Sequence, residues 1–285
     1  MKNILVTNGN IGTAVAILLA KQGHKVSIMV RKPQQNDALA QLGISFVVAD
    51  AAKPDSLPDA FKNIDAFLFV SPLIENMVEQ ATVIINAAKR AGVKQLVRSS
   101  ANGASPDAPI VMGKLHGKVQ ELVKECGIPY AIIQPASFFQ NIFGSLSTIK
   151  AQQAFYGSAG EGKNGLVDVR DIAAVAATII NEGSVHNGKT YVVTGPRAIS
   201  NRDMATVLSN KLGVDIKYID LSPEDLGNAY KEYGMNDFTI NAVLELDNIT
   251  KLGYVANISN DVAEVTGIQP INFEQFVTEH IQIFK

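Results

Sequence analysis

The strongest constraint on the fold of this chain is a regular alternation through its first half. Short apolar runs at 25–30, 44–49, 66–70, 95–97 and 130–133, most of them rich in Val, Ile, Leu or Phe, alternate with longer segments of helical period. Runs that are apolar at nearly every position suit strands buried on both faces of a parallel sheet. The segments between them, 76–91 and 115–126 among them, supply crossover helices. Strand and helix in turn specify a doubly wound α/β fold with right-handed connections. With 285 residues, 47% of them hydrophobic, the chain can bury a large core without metal or disulfide support.

The alternation begins with Ile4-Leu5-Val6, which runs through Thr7-Asn8-Gly9-Asn10-Ile11-Gly12 straight into a helix. Ile11, Val15, Leu18 and Leu19 share one face of that helix, and Gly23 is placed to end it. In nucleotide-binding α/β proteins this crossover receives a pyrophosphate. Glycines bring the backbone close to the ligand, and the helix start supplies unpaired N–H groups and a positive dipole end. A full dinucleotide fingerprint carries three glycines, whereas this loop keeps Gly9 and Gly12. The candidate contacts are Thr7, Gly9, Asn10, Ile11 and Gly12.

Ligands of open parallel sheets lie beyond the carboxyl ends of the strands, so the residues following each strand form the rest of the candidate set. Arg31 and Lys32 follow the second strand. A basic pair there suits a 2′-phosphate, where an acid would take an unphosphorylated ribose, so NADP(H) is preferred and NAD(H) is the alternative. Asp50, after the third, either accepts from an adenine amine or caps a turn. Ser71 and Pro72, after the fourth, leave room for a nucleotide against the strand ends.

Ser99 and Ser100 follow the fifth strand, where a hydroxyl can touch a substrate carbonyl or be an ordinary loop group. His116, near the start of the next helix, is either a proton-exchanging group or a helix-surface histidine without function. The other histidines, His24, His186 and His280, stand in plain polar contexts. Ser99 and His116 are the candidate catalytic residues. Pro135, Ala136 and Phe138 follow the sixth strand, where a nicotinamide would rest, and Phe138 with Phe139 either cover the ring or belong to the core.

The alternation loosens after about residue 135. A Gly-rich loop at 157–165 precedes a helix at 171–181, with Ile172, Val175, Ala176 and Ile179 on one side, and a strand at 191–194. Ser200 with Asp203 reads as a capping box, and Asn272 with Gln275 repeats the device before the last helix. The expected organisation is a Rossmann-type domain over 1–150 and a small, mostly helical lobe over 151–285, with some segments of the lobe returning to the first sheet.

Net charge is -2, and Lys and Arg are spread along the chain, which argues against extended nucleic-acid binding. The single cysteine, Cys126, excludes an internal disulfide and a cysteine-rich zinc site, and it fits a reducing cytosol. No signal-peptide pattern opens the sequence, and its apolar stretches are too short for a bilayer. A cytoplasmic protein without nucleic-acid, membrane or metal partners is expected, and a homodimer is compatible with these features.

Several phrases together resemble the NmrA-like group of atypical short-chain dehydrogenase/reductases. They are Ile4 to Gly12, Val30-Arg31-Lys32-Pro33, Ala87 to Val93, Gly127-Ile128-Pro129-Tyr130, Leu166 to Ala173, Tyr191 to Pro196 and Thr266-Gly267. The resemblance runs in order along nearly the whole chain. It implies a Rossmann domain with a C-terminal substrate lobe and binding of NADP(H) or NAD(H).

Two departures refine what it implies. Relatives of the group read V-T-G-A-T-G-x-x-G, so this loop is two residues shorter. One lost hydrogen bond to a charged group, worth roughly 1.5–3 kcal/mol, would weaken the cofactor about ten- to a hundredfold. In addition, the Tyr-x-x-x-Lys pair of typical short-chain enzymes is replaced: counting back from Gly127, His116 holds the lysine position and Met112 the tyrosine position. A methionine cannot donate a proton to a carbonyl. The implied activity is therefore NADPH-dependent hydride transfer to a quinone-like, azo-dye-like or other conjugated small-molecule acceptor. The alternative is a non-catalytic NADP(H)-sensing regulator that binds a protein partner. Sugar-nucleotide epimerisation, which wants the missing tyrosine, is disfavoured.

Overall fold

The computed structural model describes residues 1–285. The chain opens with β1 (Asn3–Thr7), α1 (Asn10–Lys21), β2 (Lys25–Val30), α2 (Asp37–Gln41), β3 (Ser45–Val48) and α3 (Leu57–Phe61). β4 (Ala66–Val70), α4 (Met77–Arg90), β5 (Gln95–Ser99), α5 (Val111–Glu125) and β6 (Tyr130–Pro135) complete the regular alternation. Then come α6 (Leu146–Gln152), β7 (Ala154–Gly157), β8 (Lys163–Asn164), α7 (Val169–Glu182), β9 (Thr190–Val193), β10 (Ile199–Ser200), α8 (Asn201–Leu212) and β11 (Lys217–Asp220). α9 (Pro223–Glu232), α10 (Asp237–Lys251), α11 (Asp261–Thr266), α12 (Phe273–Glu279) and α13 (Ile281–Phe284) close the chain.

A seven-stranded sheet is ordered β3-β2-β1-β4-β5-β6-β9. β1 pairs in parallel with β2 on one side and β4 on the other, with Val6 opposite both Ile28 and Leu68. The strand order therefore reverses direction at β1, which creates the topological switch point where doubly wound proteins bind ligands. This is the Rossmann-type arrangement expected from the alternation, accompanied by a largely helical C-terminal region.

Two compact units divide the chain and interleave in sequence. The first comprises residues 1–134, 169–192 and 264–267; the second comprises 135–168, 193–263 and 268–285. In the first unit, Phe67 and Phe69 of β4 pack with Leu57, Phe61, Ile85, Ala88, Val119 and Val123. The Phe61 and Phe67 rings meet edge to face at 5.0 Å. α1 packs on α7 in the same unit, and Val15, Leu19, Ile172, Val175 and Ile179 are all buried. The second unit is built on Phe139, Phe155, Leu208, Tyr218, Phe273, Phe276 and Val277. Its small sheets pair β7 with β11 in parallel and β8 with β10 antiparallel.

Local differences from the sequence reading have physical reasons. α5 starts at Val111, one turn before the expected 115, because Gly113, like Gly117 within the expected span, is helical despite its poor propensity. Segment 105–108 lies directly on them: a Cβ at Gly117 would stand 2.1 Å from the Ser105 carbonyl carbon, and one at Gly113 would stand 2.6 Å from the Ala108 Cβ. β5 runs on to Ser99 rather than stopping at 97. The capping box at Ser200 and Asp203 is complete, with both reciprocal bonds made. At Asn272 only half of the device forms: its side chain accepts from the Gln275 amide, while the Gln275 side chain turns to Glu279.

Candidate functional site

The turn into α1 uses its two glycines differently. Gly9, the N-cap, has φ 129 and ψ 178, a conformation that side chains resist, and no atom lies within 4 Å of where its Cβ would be. Gly12 stands against the strand, and a Cβ there would be 1.7 Å from the Thr7 carbonyl oxygen. It thus performs the helix–strand packing assigned to the last glycine of a dinucleotide loop. The first helical bond runs from the Thr13 amide to Gly9 O, so the amides of Asn10, Ile11 and Gly12 have no intrahelical partner. No side chain caps this end and no acidic residue occupies its first turn. An anion is the natural complement of such an end. Thr7 is committed elsewhere: its hydroxyl accepts from the Val70 amide at 2.7 Å and donates to Leu68 O at 3.4 Å, tying β1 to β4.

Arg31 and Lys32 leave the end of β2 as exposed side chains without ion pairs. Asp50 follows β3 and holds a local turn, its Oδ1 accepting from the Ala52 amide at 3.0 Å while its own amide donates to Ser56 Oγ. Ser71, just beyond β4, and Ser99, the last residue of β5, carry buried hydroxyls with no hydrogen-bond partner. β4 and β5 are adjacent and parallel, with Val70 opposite Ser99, so both orphans sit at the carboxyl end of the sheet. Ser100 is already engaged, accepting from Gln120 Nε2 at 2.6 Å, and Gln134 donates to the other end of the Gln120 amide.

His116 is not the surface group that its helical position allowed; it is buried in the first unit. Its Nδ1 lies 3.1 Å from a guanidinium nitrogen of Arg98, a fully buried residue of β5 that the sequence reading passed over. Arg98 also donates to Phe69 O at 3.2 Å and lies over the Phe69 ring, 4.9 Å from its centroid. Burial and, secondarily, the Arg98 charge push the His116 pKa down to about 3. Burial draws that of Arg98 down to about 9, so it remains a cation at neutral pH. Successive strand residues face opposite sides of a sheet, so Ser99 does not share a face with Arg98, and no hydrogen bond joins Ser99 to His116.

In the sequence Arg98 stands directly after the apolar pair Leu96-Val97, an unusual place for a charge, but nothing local says what it contacts. The remaining histidines are not idle polar groups either. His24 accepts from the Lys2 amide and bonds Asn181, and buried His186 bridges Glu182 and Tyr191.

Within the second unit, Pro135 ends β6 and the Ala136 amide donates to Val193 O at 2.9 Å. Phe138 is half-buried and bridges to Val167. Phe139 belongs to the core, its ring 5.2 Å from that of Phe273 and 5.5 Å from that of Phe276.

The NmrA-like family matches residues 1–274. The chain belongs to the NmrA-like family. An NAD(P)H azoreductase of Xenophilus azovorans is 33% identical over 276 residues, covering 97% of this chain and 96% of that protein. Quinone oxidoreductase 2 of Escherichia coli (strain K12) is 28% identical over 262 residues, covering 91% of each. The structure of that NADPH-dependent quinone oxidoreductase complexed with NADPH superposes with a TM-score of 0.85 at 25% identity, covering 98% of this chain and 99% of that one. NmrA itself, a negative transcriptional regulator in complex with NAD, gives a TM-score of 0.80 at 14% identity over 99% of this chain and 96% of that one, a likeness of fold alone.

Proposed function

We propose that this NmrA-like chain is an NADPH-dependent reductase that delivers hydride to a quinone-like or other conjugated small-molecule acceptor. The observation that carries the reading is the start of α1 at the switch point of the sheet: free amides, no capping side chain, no acid, and a glycine turn open to solvent. Its kinship with the azoreductase and the quinone oxidoreductase over nearly the full length supports the reaction class. The fold likeness to the regulator at 14% identity does not favour the sensing alternative.

The residues present fit a dinucleotide. The Asn10, Ile11 and Gly12 amides suit the pyrophosphate, Arg31 with Lys32 suits a 2′-phosphate, and Asp50 retains an oxygen beyond its turn bond for the adenine side. The buried hydroxyls of Ser71 and Ser99 lack partners that a bound nucleotide would provide. Pro72 and His116 complete the first unit's proposed contacts by their positions after β4 and on α5. When bound, the reduced nicotinamide supplies the hydride. The protein's part is to hold donor and acceptor in register, which alone is worth several kcal/mol of barrier. Met112 in place of a phenol removes the usual acid for carbonyl reduction. That restricts the acceptor to conjugated systems that spread the incoming charge. A reducing cytoplasm is the proposed setting, since Cys126 is buried as a free thiol.

Calorimetric titration with NADPH and NADH, followed by NADPH oxidation against quinones, azo dyes and cyclic imines, tests the reading. Tighter binding of NADPH and turnover of at least one acceptor class are expected. Saturable binding without turnover would move the assignment to the sensor, and no binding of either coenzyme would end it.

A further inference from the structure

We infer that Arg98 is a positioning residue that holds His116 as the neutral tautomer protonated at Nε2, making His116 a fixed hydrogen-bond donor to the bound nucleotide and never a proton source. The inference rests on the reading above for the presence of a nucleotide, but its geometry stands in the first unit alone.

A guanidinium only donates, so the His116 Nδ1 that it meets at 3.1 Å must accept. The one ring hydrogen is then on Nε2, for which the chain offers no acceptor. Arg98 cannot swing away to relax this choice. β5 register places it opposite Phe69, whose carbonyl oxygen and ring hold the guanidinium from a second side. No carboxylate pairs with Arg98, and its Nε has no partner. A buried cation without a counter-ion costs stability, so this arginine is not explained by the packing of the unit.

The surroundings of the ring carry no competing charge. β4 presents Phe69; α5 places Met112, Gly113, Val119 and Gln120 three and four positions away; α4 brings Ala81, Ile84, Ile85 and Ala88 to the adjoining core; and Asp107 of the covering loop is exposed. Arg98 is the charge that acts on it, and both that charge and burial favour the neutral ring. In the reaction the acceptor gains one hydrogen with its electron pair, and the proton that balances the charge comes from water.

Nitrogen-15 NMR of the imidazole side chains in the full-length protein without cofactor reads the tautomer directly. A single neutral Nε2–H pattern for His116, flat from pH 5 to 8, is expected. An Nδ1–H pattern, or a midpoint within that range, overturns the inference. Arg98→Met should melt at the same or higher temperature, give a His116 that mixes the Nδ1–H and Nε2–H tautomers while burial, the larger cause, still keeps its pKa low, and bind NADPH about tenfold more weakly, the worth of one misdirected hydrogen bond. A lower Tm with NADPH affinity unchanged would make Arg98 merely structural. If the wild type binds NADPH and the Nε2–H resonance does not move at saturation, this inference fails while the functional reading stands. If NADPH does not bind, the functional reading fails and the donor role toward a nucleotide with it, while the tautomer pattern still decides the Arg98–His116 geometry.

Discussion

Gly9 and Gly12 show how one short loop divides its work between conformation and packing. Gly12→Ala would drive a methyl group into the Thr7 carbonyl, and backbone cannot yield as a side-chain tip can. A loss of about 1–3 kcal/mol in a thermal melt is expected, with weakened NADPH binding from the displaced α1 amides. Arg31→Ala removes an exposed side chain that makes no hydrogen bond or ion pair, so its Tm should stay unchanged. Its NADPH affinity should fall by about tenfold or more, the value of a hydrogen bond to a charged group, with NADH affinity within about twofold. Equal losses for both coenzymes in calorimetry would contradict the 2′-phosphate role. The glycines and Arg31 were legible because each follows a strand whose apolar pattern is unmistakable. Arg98 was not, because what gives it meaning is a hydrogen bond to a side chain on the next helix and a carbonyl on the neighbouring strand, neither of which local spacing encodes.

At the level of elements, capping was readable where both halves of the device are committed. Ser200 and Asp203 satisfy each other at the start of α8, and the bond from the Ser200 amide is the main reason that the Asp203 carboxyl titrates below its ordinary value. Ser200→Ala should cost about 1 kcal/mol by thermal or urea unfolding. Asn272→Ala should cost no more, since its reciprocal bond is missing. α5 misled the pattern at its start, since Gly113 looks like a helix breaker until the loop that rests on it is seen.

That helix also carries an acid-sensitive group. The His116 pKa is lowered from an ordinary 6.5 to about 3, so the unfolded chain binds the extra proton first. Its contribution to stability is present above pH 6.5 and is lost as pH falls toward 3, at roughly 1.4 kcal/mol per pH unit at most. His116→Gln should therefore shift the acid-unfolding midpoint, followed by circular dichroism, to lower pH. A shift to higher pH would contradict the assignment.

For the whole molecule, the doubly wound sheet was visible from strand–helix alternation, and the order of its strands follows from short right-handed crossovers. The interleaving of the units was less visible. Residues 169–192 return to the first unit by packing α7 on α1, a tertiary choice that periodicity within α7 cannot announce. The second unit has no period of its own, being assembled from short helices around Phe139, Phe273 and Phe276, and acceptor specificity lies beyond what such segments spell out. A ligand that binds the folded chain alone stabilises it by mass action, so NADPH at a hundredfold excess over Kd should add about 2.7 kcal/mol and raise Tm.

The most direct test of the account is the absorbance of NADPH followed in the presence of the protein and a quinone. A protein-dependent decay that stops when the limiting quinone is consumed, mole for mole, is the predicted result. An absorbance that holds steady with every conjugated acceptor offered, under conditions where calorimetry shows the coenzyme bound, would contradict it.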